Sequence, residues 1–214
     1  YQILRLAHYS NRYNDVLKWY DDYAANITGS SVLQPMCIAL KAGALFRTGN
    51  QKEAAYLFSK AFDASEVKRV SNYLGFKWSV TSGTQRSEYL QLCKNNAEKA
   101  AMLALFAIGS VNDETSSMKE IYTLDAAAPA LEVLAVREIN KLEEKYLTAS
   151  LQKEKGGKAL YFSWNENGTD SAASVNRKNA NELMNFLYEV AGKGKVKNPG
   201  LFETGAAYTA YMLK

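Results

Sequence analysis

His8 is the only histidine in 214 residues. A metal site built on paired imidazoles therefore cannot form, and a nucleophilic triad would rest on this one side chain, which has no acidic or nucleophilic partner at a usable spacing. Its expected place is a surface or the lining of a groove. The carboxylates fall in adjacent pairs, Asp21 with Asp22, Asp113 with Glu114 and Glu143 with Glu144. Neighbours on a helix point about 100° apart and cannot converge on one substrate atom, so these pairs read as solvated faces and terminal charges. The run "VREINKLEEKYL" alternates in sign, which predicts an exposed helix face. "GKGKVKNPG" combines glycines and lysines but follows a helical pattern where a phosphate-cradling loop would follow a strand. It reads as a helix stop at Gly192 and a basic turn. Cys37 and Cys93 lie inside apolar helical patterns without metal or redox spacing, which predicts buried free thiols. No catalytic residue, metal ligand or cofactor site is assigned.

A second kind of chemistry is recognition. Tyr161, Phe162 and Trp164 stand beside Asn165, Glu166 and Asn167. Aromatic rings next to amides and a carboxylate suit stacking on a sugar or small ligand while bonding its hydroxyls, although the simpler reading is an anchor that pins a loop to the body of the protein. The triplets Asn26-Ile-Thr and Asn167-Gly-Thr match a glycosylation acceptor, a pattern frequent by chance.

The elements that must position these residues are helices. Ala, Leu, Lys, Glu and Tyr are plentiful and prolines number three, which favours an all-α chain. Apolar periodicity predicts helices near 2–10, 13–25, 34–48, 51–63, 66–79, 85–94, 96–109, 114–124, 129–149, 178–191 and 199–213. Pro35, Pro129 and Pro199 each mark a helix start, where a missing N–H costs nothing. The net charge of +4 is spread along the chain with mixed sign, which argues against nucleic acid as partner. No run of 18 apolar residues occurs, so no membrane span is expected.

The spacing also repeats. In "KAGALFRTGNQKEAAYLFSKAF", Ala42, Leu45, Ala54, Phe58 and Ala61 flank a turn at Gly49, and 38 residues earlier Leu4, Ala7, Val16, Tyr20 and Tyr23 follow the same pattern. This series resembles the tetratricopeptide repeat, whose paired helices set a small residue where backbones approach and an aromatic where the hairpin fills its own gap. Segments 66–94 and 96–124 read as further, less regular hairpins, and 150–177 as a loop insertion. The resemblance implies one domain, a right-handed α-solenoid of antiparallel hairpins (a superhelix), cut from a longer bacterial protein. In "ETGAAYTAY" the spacing of Gly205 and Tyr208 matches a first helix whose partner would lie beyond residue 214. Leu201, Phe202, Tyr208, Tyr211, Met212 and Leu213 are then expected to expose an apolar face and to drive self-association through 199–214.

In that family the first helices line a concave groove. The residues that the packing pattern leaves free there are Arg5, His8, Tyr9, Arg47, Arg69, Asn72 and Phe76. The Lys and Asn with which chaperone-binding members grip a peptide carboxylate fall on Ala39 and Gly43 here, so that clamp is absent. The implied function is a non-enzymatic scaffold for a protein or peptide partner, to which three arginines would attract acidic segments. The alternative is glycan or small-ligand binding through Tyr161, Phe162 and Trp164, since some bacterial nutrient-binding lipoproteins carry glycan sites on such scaffolds. That alternative points to the periplasm or envelope, with the targeting signal expected outside these residues.

Overall fold

A computed structural model describes residues 1–27, 31–65, 67–148 and 170–214. Among them the chain is all-helical, with no strand. It divides into two compact units, Tyr1–Gly109 and Ser110–Lys214. The aromatic residues Tyr161, Phe162 and Trp164 lie outside the described residues.

Unit 1 contains α1 (Gln2–Tyr9), α2 (Tyr13–Trp19), α3 (Leu33–Arg47), α4 (Gln51–Ala64), α5 (Arg69–Ser79), α6 (Arg86–Leu90) and α7 (Asn96–Gly109). Consecutive helices α1 to α5 pack as neighbours, and α1, α3, α5 and α7 also touch in succession. The first two hairpins close in the same way. Asn11, at φ 59°, and Gly49, at φ 90°, take the left-handed conformation that ends a helix. The next N–H after each reaches back five residues, Arg12 to the Ala7 carbonyl and Asn50 to the Leu45 carbonyl, both at 2.9 Å. Asn11 and Gly49 are 38 residues apart, the spacing at which the side-chain pattern recurs.

That pattern sets most of the packing. Leu4, Ala7, Val16, Ala42, Leu45, Ala54 and Ala61 are all buried. Tyr23 is the departure, 73% exposed, while Ala24 is buried. Tyr20–Ala24 forms a π-helical turn directly after α2. The wider turn accommodates one extra residue, so the inward position moves from 23 to 24.

Unit 2 contains α8 (Thr115–Leu124), α9 (Ala130–Glu143), extended by a π-helical turn at Glu144–Thr148, α10 (Asp170–Lys193) and α11 (Pro199–Met212). Helices α9 and α10 each touch the other three. Its core joins Met118 and Ile121 of α8, Leu131 and Leu134 of α9, Leu183, Leu187 and Val190 of α10, and Phe202 and Ala206 of α11. The segment 96–124, expected as one hairpin, is thus split between the units, because α8 packs its apolar face on α9 and α10. Helix α10 starts at Asp170, inside the stretch expected as a loop, where Ala172 and Ala173 favour helix. It continues past Gly192 to Lys193, and the stop is Gly194 at φ 61°. Pro35 falls in the first turn of α3, Pro129 caps α9 and Pro199 opens α11. No helix of the described residues is long and apolar enough to cross a membrane.

Phe202 and Met212 of the terminal helix are buried within unit 2, and of its large apolar side chains Tyr211 is the exposed one. The face expected to await a partner is therefore largely used: Gly205 lets α11 approach α9 so closely that a β-carbon there would lie 2.6 Å from Ile139 Cδ1.

Candidate binding cleft

Unit 1 carries a cleft of about 380 Å³ built on α1, α3 and α5. Helix α3 supplies its floor with Ala39, Gly43 and Arg47, four residues apart and so on one helix face. Helix α1 contributes His8 and Tyr9, and α5 contributes Ser71, Asn72, Gly75 and Trp78, with Lys68 just ahead of its first turn.

Glycine makes these approaches possible. A β-carbon on Gly43 would lie 2.7 Å from His8 Nε2, so the imidazole rests directly on the α3 backbone. A β-carbon on Gly75 would come within 2.5 Å of the Phe58 ring, which reaches from α4 into the same cleft. The His8 ring is also held edge-on by Tyr9 and Tyr13, with centroids 5.9 and 5.4 Å away.

The cleft is cationic. None of its described lining residues is a carboxylate, while Arg47 and Lys68 are both present. Burial, aided by the Arg47 charge, lowers the His8 pKa below its ordinary 6.5, so the imidazole is neutral at physiological pH. Asn72 is 2% exposed, and its Nδ2 has no hydrogen-bond partner. A buried, unsatisfied donor is uncommon in folded proteins.

Of the residues expected to line a groove, the cleft gathers His8, Tyr9, Arg47 and Asn72. Arg5 and Arg69 are exposed beyond its lining, Arg5 lying 5.7 Å from the Tyr9 ring. Phe76 is not a groove residue: it is buried in the core edge-on to Phe106, at 5.0 Å. Two residues on, Trp78 lines the cleft at 66% exposed. Met36, Leu40, Phe46, Phe58, Lys68 and Trp78 were missed from sequence. The available signal was a pair of glycines, Gly43 and Gly75, inside otherwise strong helices, where each costs about 1 kcal/mol relative to alanine unless something packs on it.

Unit 2 holds a buried polar cluster where sequence predicted solvated charge. Glu138, 3% exposed, forms an ion pair with Lys141 at 2.5 Å and accepts the Glu114 backbone N–H at 3.4 Å. Glu114 is buried as well and accepts from the Ser117 hydroxyl. Arg137 Nη2 and Lys141 Nζ donate to the Ser110 and Asn112 carbonyls at 3.2 and 2.7 Å. These bonds tie the segment before α8 to α9, which is why that face is covered. Burial raises the Glu138 pKa.

Cys37 is buried, Cys93 half-buried, and both are free thiols. Burial and the nearby Glu98 push Cys93 up to about 11, leaving it protonated and unreactive at neutral pH. Among the described residues no group of three or more His, Cys, Asp or Glu side chains could hold a metal ion. No protein-family model, curated protein or solved structure matches this chain.

Proposed function

We propose that the protein is a non-enzymatic recognition module in which unit 1, a tetratricopeptide-like stack of hairpins with right-handed superhelical sense, receives a peptide segment of a partner. The observation that carries this reading is the cleft across α1, α3 and α5, the helices that lead the hairpins. The matching turns at Asn11 and Gly49 support the repeat. The cleft's volume is at the small end for ligand sites, room for a few side chains and no more. The exposed rings of Tyr9 and Trp78 at its margin are the amphipathic groups that dominate recognition surfaces.

Panning a random dodecapeptide library against the full chain tests this. Enriched sequences should bind with micromolar affinity and lose at least tenfold in Trp78→Ala and in Arg47→Glu, both surface changes that leave the fold intact. A library without enrichment, or binders indifferent to both substitutions, would remove the reading.

A further inference from the structure

We propose that the outward face of α5 rests on an anionic lipid bilayer, with Val67, Val70, Leu74 and Trp78 entering the headgroup boundary and Lys68, Arg69 and Lys77 meeting lipid phosphates. This surface is distinct from the peptide cleft, and neither reading rests on the other.

The first observation is a helix with two apolar faces. Asn72, Gly75, Phe76 and Ser79 turn inward and are buried. Val67, Val70 and Trp78 are 80, 75 and 66% exposed, and Leu74 is exposed as well. Residues three and four apart on a helix lie one above another. Val70, Leu74 and Trp78 therefore form one stripe along α5, with Val67 just ahead of the helix at its leading end. A helix at the edge of a folded domain ordinarily turns polar residues outward. The cleft meets α5 through Ser71, Asn72, Gly75 and Trp78, so a ligand seated there leaves Val70 and Leu74 in water.

The second observation is charge. Between Glu66 and Glu88 the sequence has no Asp or Glu and has four cations, Lys68, Arg69, Lys77 and Arg86. Lys68, Arg69 and Lys77 are exposed and form no ion pair among the described residues. At about 100° per residue, Arg69 and Lys77 fall on one flank of the stripe. Lys68, which precedes the helix and lines the cleft, stands on the other. Basic side chains on both flanks of an apolar stripe lay their stems along it and carry their charge to the level of lipid phosphates. Tryptophan is enriched at that same boundary.

Size decides between a bilayer and a protein. A stable protein complex covers about 800 Å² per partner, with charged residues depleted from its core. The α5 stripe is one helix wide and bordered by three cations. A bilayer requires no matching shape, and its negative surface supplies counter-charge along the whole stripe.

The test incubates the full chain with vesicles of phosphatidylcholine alone or of phosphatidylcholine with one part in four phosphatidylglycerol, and reads the bound fraction by cosedimentation. The anionic vesicles should bind at least about tenfold more tightly, and raising the salt tenfold should remove most of that advantage. Lys77→Gln should weaken binding about fivefold, the contribution of one cation near such a surface. Val70→Asp and Leu74→Asp, at exposed positions, should weaken it further, with thermal unfolding confirming that both variants fold. Ile3→Asp, an equally exposed apolar site on α1, should leave it unchanged, and cleft binding of library peptides should survive Val70→Asp. Equal binding to both vesicles, no binding to either, or an Ile3→Asp loss matching that of Val70→Asp would overturn the proposal. So would a dimer in sedimentation velocity that Val70→Asp dissolves, which would assign the stripe to a second copy of the chain.

Discussion

Protonating His8 places a second positive charge beside Arg47 on an imidazole that is half-buried between α3 and the Tyr9 and Tyr13 rings. The folded chain therefore holds this proton less tightly than the unfolded chain, whose imidazole titrates at 6.5. As pH falls below that value the unfolded state takes up more protons, so the stability that neutral His8 contributes is complete above 6.5 and lost below it. Urea unfolding should show the gap between wild type and His8→Gln narrowing from pH 7 to pH 5. Glu138 tilts the other way. Its carboxyl is held above the ordinary 4.5 by burial, so its contribution is complete below 4.5 and is lost as pH rises through the folded value. Relative to Glu138→Gln, the wild-type chain should lose stability between pH 4 and pH 7 in the same assay. His8 was legible as a groove residue because a lone imidazole on an amphipathic helix has few other places to be. Glu138 was not, because its sequence neighbours are charged and only the bonds from α9 to Ser110, Asn112 and Glu114 cover it. Phe76 and Trp78 show the same limit: both are aromatic and lie on one helix, but periodicity alone does not say which of two faces meets the core.

Two helical glycines, Gly75 and Gly192, have opposite meanings. Gly75 makes room for the Phe58 ring, a rigid neighbour, so Gly75→Ala should destabilise by about 1–3 kcal/mol despite its better helix propensity. Gly192, near the end of α10, has open space where a β-carbon would sit, with nothing within 4 Å, and alanine there should stabilise by up to about 1 kcal/mol. Thermal denaturation of the two variants checks both signs. Helix α11 gives a similar contrast. Phe202→Ala, at a fully buried site, should cost about 3–5 kcal/mol. Tyr211→Ser, at an exposed one, should stay within about 0.5 kcal/mol. Helix positions were largely legible because the apolar period is strong and all three prolines sit at starts. The π-helical turn at Tyr20–Ala24 was not, because an inserted residue changes the period only after the fact: Tyr23 matches the pattern in type and fails it in register.

The charge of the whole molecule is divided unevenly. Residues 1–109 carry thirteen Lys and Arg against eight Asp and Glu, and residues 110–214 carry thirteen against fourteen. The excess positive charge thus belongs to the unit that holds the cleft, which composition taken over the full chain hides. Capture of an acidic peptide should be correspondingly salt-sensitive: a tenfold rise in ionic strength shortens the screening length about threefold, and stopped-flow association rates should fall with it while dissociation rates change little. The division into two units was not legible because the Ser110–Glu114 link resembles the breakers around it, and only the choice of partners by α8 makes it a boundary. The widened turn after α2 has a practical corollary at this scale. A helix that already accommodates a surplus residue without ending is one whose length can be edited there, whereas the same edit in a regular α-helix would swing every later side chain by about 100°. Tyr20–Ala24, with Tyr23 pointing to solvent, is accordingly the place to splice a crosslinkable residue into unit 1.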